Sequence, residues 1–457
     1  MTRLSDPRGL PLTGLNAQQM ERYEALLNEL YSYRPGVQAR LEDLLQAAPG
    51  FVLGHVLRGY ATMTDGLRSG LPDARRYLHQ AQQLAGTASE RERLHIQVLH
   101  AWVEGRGADR MQALEDILAR WPLDLLAYRQ LTGLLFWSGD KRRQLAAAMQ
   151  ALPHWQAGVP GQALVLGPLA FALEEDGHYA LAEGFAREAL EHNGTDLWAL
   201  HALAHVLEMQ GRVREGDAAI SAVASQLKDF NLFRGHVWWH LALFRLAQGR
   251  YEEVLDLLDR EIFPAPSMFY LDLQNAASLM ARLEIQGVDV GERWGRVADA
   301  AEKTLGQHLV VFTGPHQVMA LARTGRSQPL AQALQGFRDD AQTGMEQSQT
   351  GSAVASAMAL YYQGDYPAFL QCMRVLRYEA ASLGASHAQQ DLYFQLMVDA
   401  ALRTDEIALA KSLLKERLVK RFTDSSGWQR YADMAQRIDS TKHPEELRSL
   451  LRSGLPL

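Results

Sequence analysis

The 457-residue chain has one cysteine, Cys372. That excludes an internal disulfide framework and any CxxC zinc motif, and it points to a reducing compartment. Long apolar runs are missing too: no stretch approaches the ~18 uninterrupted apolar residues of a membrane span. The opening Met1-Thr2-Arg3-Leu4-Ser5-Asp6-Pro7 lacks the apolar core of a signal peptide. The expectation is a soluble, cytoplasmic protein with no membrane partner. Neither sign of charge dominates, with 46 Lys and Arg against 53 Asp and Glu and a formal net charge of −7. This balance gives no electrostatic reason for a nucleic-acid partner, and none is expected. Short basic runs such as Lys141-Arg142-Arg143 read as solvated helix faces. There is no Gly-rich phosphate loop, Ser-centred elbow or kinase-like set, and Gly158-Val159-Pro160-Gly161 reads as a turn. No linker rich in Gly, Ser or Pro separates domains.

What is present is helical periodicity almost everywhere, without a convincing period-2 run of strand length. Hydrophobic residues make up 47% of the chain, enough for a sizeable core. From Leu169 to Leu203 the sequence reads as one full helical hairpin. A first helix ends at Gly177, a second begins near Tyr179, and Asn193-Gly194-Thr195-Asp196 leads onward. Small Ala182 and Ala189 allow the two helices to approach closely. The pattern recurs as a ladder of turn glycines: Gly139, Gly177, Gly211, Gly249, Gly287, Gly325 and Gly364. Their steps are 38, 34, 38, 38, 38 and 39 residues, with a further turn expected near Thr404 and an earlier one at Gly105 or Gly107. Glycine suits these positions because it takes the left-handed conformation that ends a helix.

A period near ~34 residues with small-residue hairpins is the tetratricopeptide signature. The predicted fold is therefore all-α: tetratricopeptide-like hairpin repeats in a right-handed superhelical solenoid able to close around an inner pocket. Residues 1–40 read as an N-terminal leader with an initial helix, 41–440 as the repeat array, and 441–457 as a C-terminal capping tail. The polar stretch Gln342–Gly351 reads as a mobile loop.

Two histidine doublets stand out against this scaffold, His201 with His205 and His236 with His240. Each is spaced i, i+4, so both rings of a doublet leave one side of a helix. Glu208 lies one turn beyond the first doublet. Counted back from the turns, Glu208, His205 and His201 lie 3, 6 and 10 residues before Gly211. His240 and His236 lie 9 and 13 before Gly249, His316 lies 9 before Gly325, and Asp391 lies 13 before Thr404. At ~100° per residue these offsets share an arc of roughly 120° on the first helix of each hairpin. Trp239 falls inside that arc, whereas Trp238 reads as packing between helices. A lone helical His is more often a hydrogen-bonded structural residue than a ligand, and Glu208 has its own bland reading as a solvated carboxylate. The shared direction of several such residues is what points to a site. The run His201-Ala-Leu-Ala-His205 lacks the Glu that a zinc-protease helix carries after its first His. No native metal site is expected, and His201, His205 and His240 are the residues that would hold one. No cofactor is identified.

The sequence resembles the tetratricopeptide repeat protein 38 family from about Phe51-Val-Leu-Gly-His55 to the C-terminal helices. The resemblance rests on His201-Ala-Leu-Ala-His205-Val-Leu-Glu208-Met209, Trp239-His240-Leu-Ala-Leu243, Gly291-Glu-Arg-Trp294 and Leu383-Gly-Ala-Ser386-His-Ala-Gln389-Gln-Asp391. His316 sits in Pro-His-Gln-Val-Met-Ala, similar to the family's Ala-His-Phe-Leu-Met-Ala. Val311-Phe312-Thr313-Gly314 stands where the family has Leu-Phe-Asn-Asp, and Gln390 where it often has Arg. The resemblance implies an all-helical repeat protein, assigns no reaction, and adds Gln389 to the shared inner-face residues.

Three functions compete. The first is a binding module that takes a small molecule or a peptide segment in a concave pocket. Its lining would be His201, His205, Glu208, His236, Trp239, His240, His316, Gln389 and Asp391. Because that arc is His, Glu, Asp and Trp rather than Lys, Arg and Asn, an acidic C-terminal peptide is disfavoured. The second is an enzyme, metal-assisted or not. His205 or His240 would be the base, and Glu208 or Asp391 would orient it. The third is a protein-interaction scaffold, including a homodimer.

Overall fold

The computed structural model describes residues 3–342, 347–421, 428–429 and 431–432. The chain is an all-α helical-hairpin solenoid of the tetratricopeptide type. Two short strands precede the helices, β1 (Arg3–Ser5) and β2 (Pro11–Thr13), paired antiparallel with Leu4 opposite Leu12. This hairpin is a departure from the expectation of no strands. At three residues each, its strands are too short to leave a period-2 signal.

The helices follow as consecutive pairs: α1 (Ala17–Tyr31) with α2 (Val37–Ala47), α3 (Val52–Thr64) with α4 (Leu71–Gln83), and α5 (Glu90–Val103) with α6 (Gly107–Arg120). Next come α7 (Leu125–Trp137) with α8 (Lys141–Ala151), α9 (Ala163–Glu175) with α10 (Tyr179–His192), and α11 (Leu197–Met209) with α12 (Val213–Val223). Then come α13 (Arg234–Ala247) with α14 (Tyr251–Leu257), α15 (Tyr270–Ile285) with α16 (Arg293–Lys303), and α17 (Thr313–Arg323) with α18 (Ser327–Gln342). The last pairs are α19 (Ser348–Tyr362) with α20 (Tyr366–Glu379), and α21 (His387–Arg403) with α22 (Ile407–Lys420). Gln342 closes α18 and Ser348–Gly351 is the first turn of α19, so both ends of the loop expected over Gln342–Gly351 are helical; residues 343–346 of that stretch lie outside the described residues. The expected capping tail, 441–457, lies outside the described residues.

The glycine ladder has a backbone cause. All seven ladder glycines and Gly105 adopt left-handed φ between 66° and 89°. At Gly211 the glycine N–H donates to Glu208 O at 3.0 Å and the Arg212 N–H to Leu207 O at 2.8 Å, the paired bonds of a Schellman helix end. The turn expected near Thr404 is also there. Thr404 closes α21, and Asp405 takes the left-handed role at φ 57°.

The chain folds as two compact units. The first comprises Met1–Ala202, Ser225–Arg234 and Gln307–Leu309; the second comprises Leu203–Ala224, Gly235–Gly306 and Val310–Leu457. In the first unit, Asp124 caps α7 by accepting from Ala127 N at 2.9 Å. Its other oxygen accepts from Arg91 Nε at 2.6 Å and from His95 Nε2 at 2.9 Å, all three side chains being buried. Burial alone would raise the Asp124 pKa, but Arg91 and His95 hold it well below the usual carboxylate range. Arg91 also donates to Pro11 O, and Glu92 accepts from Thr13, so α5 fastens the N-terminal hairpin. The second unit brings α15 against α17 and α21, and this contact positions the candidate site.

Candidate ligand-binding site in the second unit

Three histidines form its first wall. His205 on α11 and His236 and His240 on α13 are all buried. The ring centroids of His205 and His240 stand 4.4 Å apart, and those of His236 and His240 4.9 Å apart, both edge to face. Trp239, fully buried, stacks on His236 at 5.2 Å and donates its indole N–H to Ser278 Oγ at 3.1 Å. Trp239 therefore joins this wall, as its place in the arc suggested.

The partners set the ring protonation. His236 Nδ1 lies 2.9 Å from Asn275 Oδ1, which can only accept, so Nδ1 carries the proton and Nε2 the lone pair. Burial, with His240 adding to it, pushes the His236 pKa down to about 3 and keeps the ring neutral. His240 Nδ1 lies 3.3 Å from Glu208 Oε2, a carboxylate oxygen that can only accept, so Nδ1 carries a proton there. His205, His236 and His240 can each offer a ring nitrogen, and these nitrogens lie within 4.8 Å of one another.

A buried charge network continues from Glu208. Arg421 donates to Glu208 Oε1 at 3.0 Å, and its Nε lies 3.5 Å from Asp391 Oδ1. Arg417 grips Asp391 with two bonds, Nε to Oδ1 at 2.6 Å and Nη2 to Oδ2 at 2.8 Å. Burial pushes both carboxylates up, but the arginines outweigh it. Glu208 is held below its ordinary value by Arg421 and His240, and Asp391 well below by Arg417 and Arg421.

Arg282 differs from these arginines. It is 2% exposed and donates only to backbone carbonyls, Ser278 O at 3.1 Å and Ala388 O at 2.7 Å. No carboxylate among the described residues lies within ion-pair distance of it. Burial lowers its pKa to about 10 despite the fields of Asp391 and Glu208. Its guanidinium lies 5.5 Å from the Trp239 ring centroid. Asn275, 1% exposed, has no acceptor for its Nδ2 among the described residues. Among the described residues the cluster includes three buried guanidinium groups, Arg282, Arg417 and Arg421, and two carboxylates, Glu208 and Asp391.

The remaining expected residues have more structural duties. Gln389 is the N3 residue of the α21 capping box, accepting from Ser386 N at 3.1 Å. Its Nε2 donates to Gln274 Oε1 at 3.2 Å, and Gln274 donates on to Thr313 Oγ1 at 2.8 Å. His316 is buried on α17 and donates from Nδ1 to Phe312 O of its own helix at 3.0 Å. Its pKa is pushed down to about 4 by burial, with Arg282 adding to the effect. His201 lies one turn before His205 on α11 but belongs to the first unit. There it packs in an aromatic cluster with Phe171, Trp198 and Phe233 at 4.9 to 5.3 Å. Arg282, Arg417, Arg421 and Asn275 belong to the cluster as well, beside the His, Glu, Asp and Trp residues of the arc drawn from the sequence.

No family model matches the chain. Among solved structures it is similar to the human IFIT1 dimer with PPP-AAAA at 12% identity, covering 97% of this chain and 96% of that one, with a TM-score of 0.41. The human IFIT1 dimer with m7Gppp-AAAA is similar at 12% identity, 93% and 96% coverage and a TM-score of 0.43. The APC/C hetero-tetramer Cut9–Hcn1 is similar at 11% identity, 96% and 97% coverage and a TM-score of 0.35. The expectation that nucleic acid is excluded as a partner is corrected by the IFIT1 structures, which hold PPP-AAAA and m7Gppp-AAAA. Physically, a net charge of −7 averaged over a surface does not set the sign of one local site. No helix among the described residues is long and apolar enough to cross a membrane.

Proposed function

We propose that this protein binds a small anionic molecule, a carboxylate or phosphate, in the buried polar cluster of its second unit. Arg282 carries the reading. A guanidinium taken out of water costs several kcal/mol unless a charge of opposite sign compensates it; Arg282 touches only carbonyl dipoles, and Asp391 and Glu208 act on it from beyond ion-pair distance. An anion would supply the missing charge, and the planar fork of Arg282 suits a two-oxygen group. Asn275 Nδ2 offers a further donor, and Trp239 an apolar face. Burial of every member favours a small molecule over a peptide, which needs an exposed groove. The resemblance to the tetratricopeptide repeat protein 38 family supports the same region, because Glu208, Trp239, His240, Gln389 and Asp391 lie in its quoted motifs.

The test is a thermal-shift screen of small mono- and dicarboxylates and phosphate monoesters on the full chain. At a concentration 100 times Kd a ligand adds about 2.7 kcal/mol of stability, a readily measured rise in Tm. A rise for one anion class, absent in Arg282→Met, supports the reading. A flat response across the whole panel contradicts it.

One observation favours a second reading, acid–base catalysis on the bound molecule. The His240–Glu208 contact orients a ring as a carboxylate orients a catalytic histidine. On that reading His240→Gln retains ligand binding and abolishes turnover. Unchanged turnover in that variant would exclude His240 as the base.

A further inference from the structure

We propose that His205, His236 and His240 form a three-imidazole site for a divalent transition metal of the zinc class. The sequence alone disfavours this, because the His-Ala-Leu-Ala-His run lacks the zinc-protease glutamate and the two doublets lie on different hairpins. The structure adds what the sequence could not display.

The first element is proximity. The three rings present nitrogens within 4.8 Å of one another from two neighbouring helices. Zinc–nitrogen bonds of about 2.0–2.1 Å in tetrahedral geometry place ligand atoms about 3.3 Å apart. Metal binding would draw the rings together by that difference.

The second element is the shell behind the ligands. A metal-binding imidazole characteristically donates its other N–H to a carboxylate or carbonyl, which fixes ring orientation and raises basicity. His236 donates to the amide oxygen of Asn275 and His240 faces the carboxylate of Glu208. In both rings this leaves Nε2 as the coordinating atom. Asn275 is 39 residues from His236 in sequence and Glu208 32 from His240, so each support comes from a separate helix. Imidazole donors suit Zn²⁺, Co²⁺, Ni²⁺ and Cu²⁺ and disfavour Mg²⁺ and Ca²⁺. The inference uses no property of Arg282, so it can fail while the anion reading holds, and the reverse.

The experiment uses the untagged full chain, treated with chelator and dialysed. Co²⁺ is titrated in and visible absorption recorded, with circular dichroism as the check on folding. A saturable 1:1 d–d spectrum of a four-coordinate site is expected, with a Tm rise on adding Zn²⁺ and none on adding Mg²⁺. His236→Ala should abolish the spectrum. Asn275→Ala, which leaves all three ligands in place, should weaken Co²⁺ binding about 10- to 100-fold. Absence of a saturable spectrum in the unaltered chain overturns the proposal. So does a spectrum that survives both substitutions, since the metal would then be bound elsewhere.

Discussion

Arg421 and Glu208 stand 213 residues apart in the sequence and meet as a buried ion pair at 3.0 Å. The pair ties the residue just after α22 to the last turn of α11. Glu208 also faces His240, so its position sets part of the histidine wall. Removing one partner of a buried pair leaves the other charge uncompensated. Arg421→Met is therefore expected to destabilise the second unit by about 3 kcal/mol. Urea unfolding followed by Trp fluorescence measures this, and a loss near zero would mean that Glu208 finds other compensation.

The two best-buried arginines should respond in opposite ways to the same substitution. Arg91 neutralises Asp124, and Arg91→Met should cost about 3–5 kcal/mol. Arg282 neutralises no carboxylate. The carbonyls it touches, Ser278 O and Ala388 O, both lie within helices and keep their helical partners. Arg282→Met should therefore leave stability within about 1 kcal/mol of the parent, or raise it. Equal losses in the two variants would show that Arg282 is a structural residue.

Much of the fold was legible in the sequence, because a helix end that needs a left-handed residue selects glycine. Every glycine in the 38-residue ladder proved to be such a turn. The histidine wall was half legible. Fixed offsets from each turn placed His205, Glu208, His236, Trp239 and His240 on one face, and they do converge. The same count from Gly287 reaches Gln274 at 13 and Ser278 at 9, the offsets of His236 and His240, and both belong to the cluster. Polar residues so ordinary draw no notice in a sequence. Arg417 and Arg421 escaped for a different reason: they lie on or just past the second helix of their hairpin, where a first-helix register does not look.

Asp405 tests the ladder directly. It holds the left-handed φ of 57° that the ladder turns assign to glycine, as Tyr33 does at φ 58° after α1. An L-residue in that conformation costs about 1 kcal/mol, so Asp405→Gly should stabilise the chain by that order. The reverse change, Gly249→Asp at φ 72°, should destabilise it by a similar amount. Chemical denaturation of both variants compares them, and a destabilised Asp405→Gly would show that the Asp side chain has a duty of its own.

His316 makes stability depend on pH in a predictable direction. Its folded pKa of about 4 lies below the ordinary value of 6.5, so unfolding takes up a proton in between. The stability from keeping this ring neutral is complete above pH 6.5 and drains away as pH falls towards 4. At pH 4.5 the loss from this one residue is about 2.5 kcal/mol. Unfolding free energies of chelator-treated parent and His316→Gln proteins between pH 7 and 4.5 isolate the effect. The variant should show the shallower slope, and parallel slopes would mean that His316 is protonated in the folded state.

The central claim is that the second unit encloses an anion held by Arg282. Isothermal titration of the best anion from the thermal-shift screen, into the parent and into Arg282→Met, tests it most directly. Binding to the parent should be 1:1, with affinity about 30-fold weaker or worse in the variant, the effect of losing about 2 kcal/mol from a buried charge pair. Equal affinity in the two proteins, with both folded, would contradict it.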